Sequence, residues 1–177
     1  MKTYVLTVSR TFPETHKRAG EETYFSERIL AGQKIFGACD DCTHKDCGHC
    51  EYWLNPKLHT IRANYVLWAN RIKEIQEGKA ILSIRYWSGN PYNSKQVEIC
   101  QLDKDSGVGI QELCLKPKSI LEDSVELFYI DNNFYNPLNL GFLSRNDGLS
   151  YEDFKEWFKS YDLSHPMAII HFTSFRY

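Results

Sequence analysis

Four strand-like segments follow one another in the second half of this chain, with no helical pattern between them. Each segment is rich in β-branched and aromatic residues, and Gly, Asn, Asp or Pro residues lie between them. The segments span 79–87, 94–102, 109–115 and 124–130. Successive strands joined by turns pair in antiparallel fashion. The sequence therefore predicts a mostly antiparallel sheet that closes into a small barrel.

The rest of the chain contributes helices at the margins of this sheet. Residues 3–11 and 167–175 read as two further strands, because β-branched, aliphatic and aromatic residues dominate both. Apolar residues recur at helical intervals in 21–30, 65–76 and 150–160. The predicted class is therefore α+β, a small and mostly antiparallel β-barrel flanked by helices.

Length and charge narrow the classes of protein that the chain can belong to. A chain of 177 residues fits one domain, and no stretch resembles a secretory leader or a membrane span. We therefore expect a cytoplasmic protein without a membrane partner. The net charge of -2 argues against non-specific coating of nucleic acid. Residues 53–96, however, carry seven Lys or Arg against two Glu, which predicts a local basic face.

A cysteine-rich segment at 37–52 interrupts the pattern of strands and helices and reads as an inserted lobe. Its four cysteines follow the spacing Cys-x2-Cys-x4-Cys-x2-Cys and are Cys39, Cys42, Cys47 and Cys50. Two such pairs supply four thiolates for a tetrahedral metal ion, and zinc is the leading candidate. A closed set of four ligands leaves no open position, so the predicted zinc is structural. No organic cofactor is predicted.

Other interpretations of this lobe stay open. His44 or His49 could replace one cysteine as a ligand, and an iron-sulfur cluster uses the same thiolates. The four cysteines could also be reduced thiols or form adventitious disulfides. The remaining two cysteines, Cys100 and Cys114, lie in predicted strands and are expected to be core thiols.

The densest group of polar side chains lies in 55–68, directly after the lobe. Pro56 rules out a helix at the start of this stretch. The candidate ligand-binding residues here are Lys57, His59, Arg62 and Asn64, with the hydroxyl of Thr60 among them. The plain alternative is a polar loop that leads into a helix, with its cations in solvent, His59 as a structural histidine and Asn64 as a helix cap.

Four segments together carry a resemblance to a known family. Residues 29–34, 57–62, 81–87 and 146–154 resemble the ASCH domains of the PUA-like superfamily, and the likeness spans nearly the whole chain. In that family a helix ending in Gly runs directly into a Lys-x-x-Thr-x-Arg motif, whereas here the lobe lies between the two. The resemblance implies a single ASCH/PUA-like domain at 1–177, with a cleft beside the motif that binds RNA or modified nucleosides.

One branch of that family, the N4-acetylcytidine amidohydrolases, implies a catalytic set. Lys57 and Thr60 match the Lys and Thr of that branch, and Asp147 stands where it has a glutamate. A lysine with a lowered pKa could take the proton of the Thr60 hydroxyl, and Asp147 could orient water or carry a proton to the leaving amine. The lysine could equally stay charged and hold a phosphate together with Arg62.

Binding without turnover is the other hypothesis that the residues allow. Cations and flat aromatic rings in one segment are typical of single-stranded RNA sites, which combine phosphate contacts with base stacking. Beyond the 55–68 stretch, the candidates for this role are Arg85, Trp87 and Tyr92. Trp68 and Trp157 lie at helical spacing and are expected in the core.

Overall fold

The computed structural model describes residues 1–33, 55–117, 125–136 and 139–177, which form an α+β fold with four helices and eight strands. The helices are α1 (Phe25–Gly32), α2 (Tyr65–Gln76), α3 (Leu140–Asn146) and α4 (Tyr151–Phe158). The strands are β1 (Lys2–Thr7), β2 (His59–Arg62), β3 (Ala80–Trp87), β4 (Gln96–Leu102), β5 (Gly109–Pro117), β6 (Val125–Ile130), β7 (Asn133–Tyr135) and β8 (Met167–His171).

The strands lie in two sheets. One has three strands in the order β1-β3-β4, and the other has five in the order β2-β8-β5-β6-β7. Every pairing is antiparallel except that of β1 with β3, which is parallel. Parallel neighbours need a long crossover, and the chain between β1 and β3 includes α1, β2 and α2. The described strands therefore form two mostly antiparallel sheets, where we expected one closed barrel.

Helix α2 joins the two sheets into one core. It contacts β3 of the smaller sheet and β5 and β8 of the larger one. Its buried residues Trp68, Ile72 and Ile75 face this core, which confirms the expectation for Trp68. The helix begins after Asn64, whose side-chain oxygen accepts a hydrogen bond from the Leu67 N–H. Asn64 therefore acts as a helix cap.

Helix α4 begins as the sequence predicts. The Ser150 hydroxyl accepts a hydrogen bond from the Asp153 N–H at 3.0 Å, which satisfies one exposed donor of the first turn. Phe154 and Phe158 are buried, and Trp157 packs against the core. No helix in the described ranges is both long enough and apolar enough to cross a membrane.

Candidate functional site

The start of the Lys-x-x-Thr-x-Arg motif is fixed by backbone hydrogen bonds to three distant parts of the chain. The Lys57 N–H donates to the Arg28 carbonyl in α1, and the Leu58 N–H donates to the Asn146 carbonyl at the end of α3. The Leu58 carbonyl accepts from the Phe172 N–H just after β8. These bonds bring the side chain of Lys57 next to the residue that follows Asn146.

That residue is Asp147, and it forms a buried ion pair with Lys57. Lys57 Nζ lies 2.7 Å from Asp147 Oδ1, and the two side chains are 1% and 6% exposed. The ammonium also donates to the Asp147 carbonyl oxygen and lies 4.1 Å from the centroid of the Phe25 ring. Burial lowers the pKa of Lys57 to about 8 and raises the pKa of Asp147. Two predicted site residues that are 90 positions apart are thus in direct contact.

A histidine and a tyrosine extend this pair into the interior. His59 Nδ1 lies 3.6 Å from Asp147 Oδ1, and His59 Nε2 lies 2.7 Å from the hydroxyl oxygen of Tyr177. The same hydroxyl accepts a hydrogen bond from Asn146 Nδ2 at 3.0 Å. Burial lowers the pKa of His59 well below its ordinary value and raises the pKa of Tyr177. Both side chains are therefore neutral near pH 7.

The other two residues of the motif lie in β2 beside this cluster. Thr60 is buried, and among the described residues its hydroxyl makes no hydrogen bond to Lys57 or Asp147. Arg62 donates to the Thr7 carbonyl at 2.6 Å and to the Ile61 carbonyl at 3.1 Å. Thr7 belongs to the smaller sheet and Arg62 to the larger one, so this guanidinium links the two sheets.

A pocket of about 450 Å³ lies next to the buried pair. Gly148 separates the two, since it lines the pocket and a Cβ at this position would lie 3.2 Å from the Cβ of Lys57. Its φ of +78° is a conformation that favours glycine. The charged and aromatic side chains around this pocket come from the N-terminal segment, α1, α3 and α4: Phe12, Arg18, Glu22, Tyr24, Arg28, Arg145, Tyr151 and Asp153.

The arginines of the pocket differ in their partners. Arg18 lies 2.7 Å from a carboxylate oxygen of Asp153, and Arg28 donates to the Asn55 carbonyl at 3.0 Å. Arg145 is exposed, and it has no ion-pair partner among the residues that the structure describes. The pocket therefore has a guanidinium available for an anionic group.

The three predicted ligand residues of the β3–β4 hairpin lie on another surface. Arg85 donates to the Ser83 hydroxyl at 2.7 Å and lies 3.4 Å from a carboxylate oxygen of Glu98. Trp87 shares the Arg85 face of the strand, and its ring lies 5.3 Å from that of Tyr92, which is 88% exposed. None of Arg85, Trp87 and Tyr92 lines the pocket.

The structure thus joins Lys57, His59 and Asp147 in one cluster and places the hairpin residues elsewhere. Sequence reasoning did not identify Tyr177, Asn146 or the pocket arginines. Asn146 lies next to Asp147 and could have been noticed for that reason. Tyr177 is 118 residues from its partner His59, and no spacing pattern connects them.

The predicted metal ligands, Cys39, Cys42, Cys47 and Cys50, lie outside the described residues, as do His44 and His49. Within the described ranges, no group of three or more His, Cys, Asp or Glu side chains could hold a metal ion. Cys100 and Cys114 lie half-buried in β4 and β5, and burial raises the pKa of the Cys100 thiol to about 11.

Comparisons with protein-family models, with curated proteins and with solved structures found no match to this chain. The resemblance to ASCH domains is therefore a proposal, and the site has to be interpreted from its own chemistry.

Proposed function

We propose that this protein binds RNA or a modified nucleotide in the pocket beside the Lys57–Asp147 pair. One observation carries the proposal: the pocket gathers Arg28 and Arg145 with the exposed rings of Tyr24 and Tyr151 around one hollow of about 450 Å³. A volume of this size lies within the range of small-molecule sites.

The residue types around the pocket suit the two parts of a nucleotide. A guanidinium binds phosphate oxygens through paired N–H groups, and a tyrosine ring offers a flat face on which a base can stack. Gly148 lines the pocket and directly follows Asp147, so a ligand in the pocket would lie close to the segment that carries the buried pair. The resemblance to ASCH domains points to the same ligand class, and we propose that the two sheets and α2 form an ASCH-like, PUA-like domain.

The test is a binding measurement with short single-stranded RNA and with nucleoside monophosphates. Affinity for RNA should fall as salt is added, because phosphate contacts release counterions. Arg145→Ala should weaken binding, whereas Lys73→Ala, which removes the same charge from the exposed side of α2, should leave affinity unchanged. An equal loss in both variants, or no binding at low salt, would contradict the proposal.

A second candidate function is hydrolysis of an N4-acylated cytidine, and one observation favours it. The pKa of Lys57 is lowered to about 8, and a carboxylate lies 2.7 Å away to take its proton. Once neutral, the amine of Lys57 could accept the proton of an attacking hydroxyl or water. The oxygen would add to the acyl carbon, the C–N bond would break, and the leaving amine would take a proton.

This hydrolase hypothesis has its own test. The protein should release cytidine and acetate from N4-acetylcytidine, and Lys57→Ala should abolish the release. If the protein binds the nucleoside but releases no acetate, the hydrolase hypothesis is wrong and the binding function remains.

We also propose that Cys39, Cys42, Cys47 and Cys50 hold a structural zinc ion. The support is the spacing of these residues in the sequence. Elemental analysis of the purified protein tests it, with about one zinc per chain expected. A ratio near zero would remove the zinc, and iron in its place would indicate a cluster.

A further inference from the structure

The side chains behind the Lys57–Asp147 pair determine which nitrogen of His59 carries a proton. The Tyr177 hydroxyl oxygen accepts a hydrogen bond from Asn146 Nδ2, and its own proton is directed to a remaining acceptor. The nearest one is His59 Nε2, at 2.7 Å. A neutral imidazole has one acceptor nitrogen and one donor nitrogen, so a proton donated by Tyr177 makes Nε2 the acceptor.

The other side of the ring leads to the same assignment. His59 Nδ1 lies 3.6 Å from Asp147 Oδ1. A lone pair on Nδ1 would face the carboxylate oxygen and repel it, whereas an N–H would be attracted to it. His59 is fully buried, so water does not weaken this preference.

The second buried histidine does not compete for these partners. The ring centroid of His171 lies 5.6 Å from that of His59, and neither of its nitrogens has a hydrogen-bond partner in the described part of the chain. Burial lowers the pKa of His171 to about 3, so it adds no charge to the cluster near pH 7.

We propose that His59 and Tyr177 are positioning residues of the nucleotide site, which hold Asp147 ionised and Lys57 protonated through the Nδ1–H tautomer of His59. This inference about His59 and Tyr177 depends on the proposed function in one respect only, namely that the cluster belongs to a ligand site. Tyr177 donates to Nε2, Asp147 accepts from Lys57, and Nδ1–H faces Asp147 Oδ1 at 3.6 Å, a distance at which the two attract each other without a hydrogen bond.

This arrangement assigns a charge state to the site. The Asp147 carboxylate accepts a hydrogen bond from Lys57 and feels the charge of Arg62, and both favour its ionised form. The Nδ1–H dipole of His59, 3.6 Å away, acts in the same direction. Lys57 therefore keeps its proton at neutral pH and presents a positive charge behind Gly148. A lysine held in this form serves binding, and the hydrolase hypothesis would require a ligand that first loosens the contact between Lys57 and Asp147.

Nitrogen NMR of the ligand-free protein tests the proposal directly. With ¹⁵N-labelled histidine, the two ring nitrogens of His59 are identified through their ring protons and the contacts of those protons with the Tyr177 ring. We expect a protonated Nδ1 and an unprotonated Nε2 near pH 7, with the Asp147 carboxyl carbon at a carboxylate shift. An Nε2–H tautomer, a charged imidazolium or a protonated Asp147 would overturn the proposal.

A variant separates the role of Tyr177 from general packing. In Tyr177→Phe, the acceptor Nε2 loses its donor, so the population of the Nε2–H tautomer should rise. Tyr161→Phe, which removes a hydroxyl from an exposed tyrosine, should leave the His59 signals unchanged. If Tyr177→Phe does not move the His59 signals, Tyr177 does not position the ring.

The outcome is distinguishable from failure of the proposed function. Arg145→Ala should weaken nucleotide binding without changing the tautomer of His59, because Arg145 is not part of the cluster. A protein that shows the Nδ1–H tautomer but binds no nucleotide would refute the proposed function alone.

Discussion

Two regions of this protein contain a cation next to a carboxylate, and the two pairs have different surroundings. Lys57 and Asp147 lie 2.7 Å apart with side chains 1% and 6% exposed. Arg85 and Glu98 lie 3.4 Å apart in the β3–β4 hairpin, with side chains 31% and 37% exposed. From the sequence alone, Lys57 and Arg85 both read as basic residues of one cleft.

The two ion pairs differ in how far water reaches them. Water screens the Arg85–Glu98 pair, and such pairs add little to stability. The Lys57–Asp147 pair has lost its water, so each charge depends on the other and on the hydrogen bonds around it. A buried pair of this kind is expected where the protein fixes a charge state.

The largest effect should come from breaking the buried pair. Asp147→Asn leaves the Lys57 ammonium buried without a counter-charge, and we expect a loss of about 3–5 kcal/mol in the free energy of unfolding. Urea denaturation measures it. Glu98→Gln, the matched change in the exposed pair, should leave the midpoint nearly unchanged.

A double variant checks the reason for this loss. Lys57→Met combined with Asp147→Leu removes both charges, and it should be more stable than Asp147→Asn alone because no unpaired charge remains. For the two single variants, an equal loss of unfolding free energy in Asp147→Asn and Glu98→Gln would show that the buried and exposed pairs do not differ in their contribution to stability.

The second effect is a dependence of stability on pH. The native pKa of Lys57 is about 8, below the ordinary value of 10.5. Between these values the unfolded chain binds the proton that the native chain has lost, so the contribution of Lys57 to stability rises with pH. The rise should amount to at most about 3 kcal/mol from pH 8 to pH 10.5. It is measured as the difference between the wild type and Lys57→Met in urea denaturation.

An exposed lysine, Lys79, provides the control for this dependence of stability on pH. The hydrogen bond that Lys79 donates to Glu77 raises the pKa of Lys79, so the contribution of Lys79 to stability is present at lower pH and is lost as pH rises through the native pKa. The wild type and Lys79→Met should therefore differ in the opposite direction. A Lys57→Met difference that stays constant across this range would contradict the lowered pKa.

The sequence predicted the regular elements where local signals agree. The predicted helix at 65–76 coincides with α2, because a helix cap, an apolar stripe and a stop at Gly78 occur together. The strand β2 is less evident, since His59, Thr60 and Ile61 are all buried and its two faces do not alternate in polarity. Helix α3 was missed because it is short and lies among loop-forming residues.

Less of the site could be predicted. The resemblance grouped Lys57, Thr60 and Asp147. In the structure Lys57 contacts Asp147, and among the described residues Thr60 makes no hydrogen bond to either. The position of the pocket depends on how α1, α3 and the N-terminal segment pack, which no local pattern encodes. Trp87 and Tyr92 are aromatic residues of the kind that stack on bases, which is why the sequence suggested them. Alternation along β3 places Trp87 and Tyr86 on opposite faces of the strand, so aromatic residues that are neighbours in the sequence do not share one surface.

The third effect concerns the residue between the pocket and the pair. Gly148→Ala places a Cβ 3.2 Å from the Cβ of Lys57 at a φ of +78°, so we expect a loss of about 1–2 kcal/mol. In Gly89→Ala, in the hairpin, the new Cβ would meet only the side chain of Ser94, with its Cβ at 3.4 Å and its hydroxyl oxygen at 3.7 Å. These are ordinary contacts, so the change should be nearly neutral. Thermal or urea unfolding compares the stabilities of the two variants. Equal losses would show that neither the contact with Lys57 nor the positive φ constrains position 148.

The smallest effect is a change in affinity, and it decides which region binds the ligand. Arg145→Ala removes a guanidinium that has no ion-pair partner in the described structure, so affinity for RNA or a nucleotide should fall about tenfold with folding intact. Arg85→Ala removes a guanidinium already held by Ser83 and Glu98, so its effect on affinity should be less than twofold. Titration of both variants at one salt concentration makes the comparison. The reverse order would move the ligand to the hairpin, where Trp87 and Tyr92 would supply the stacking, and would leave the buried cluster as a structural feature.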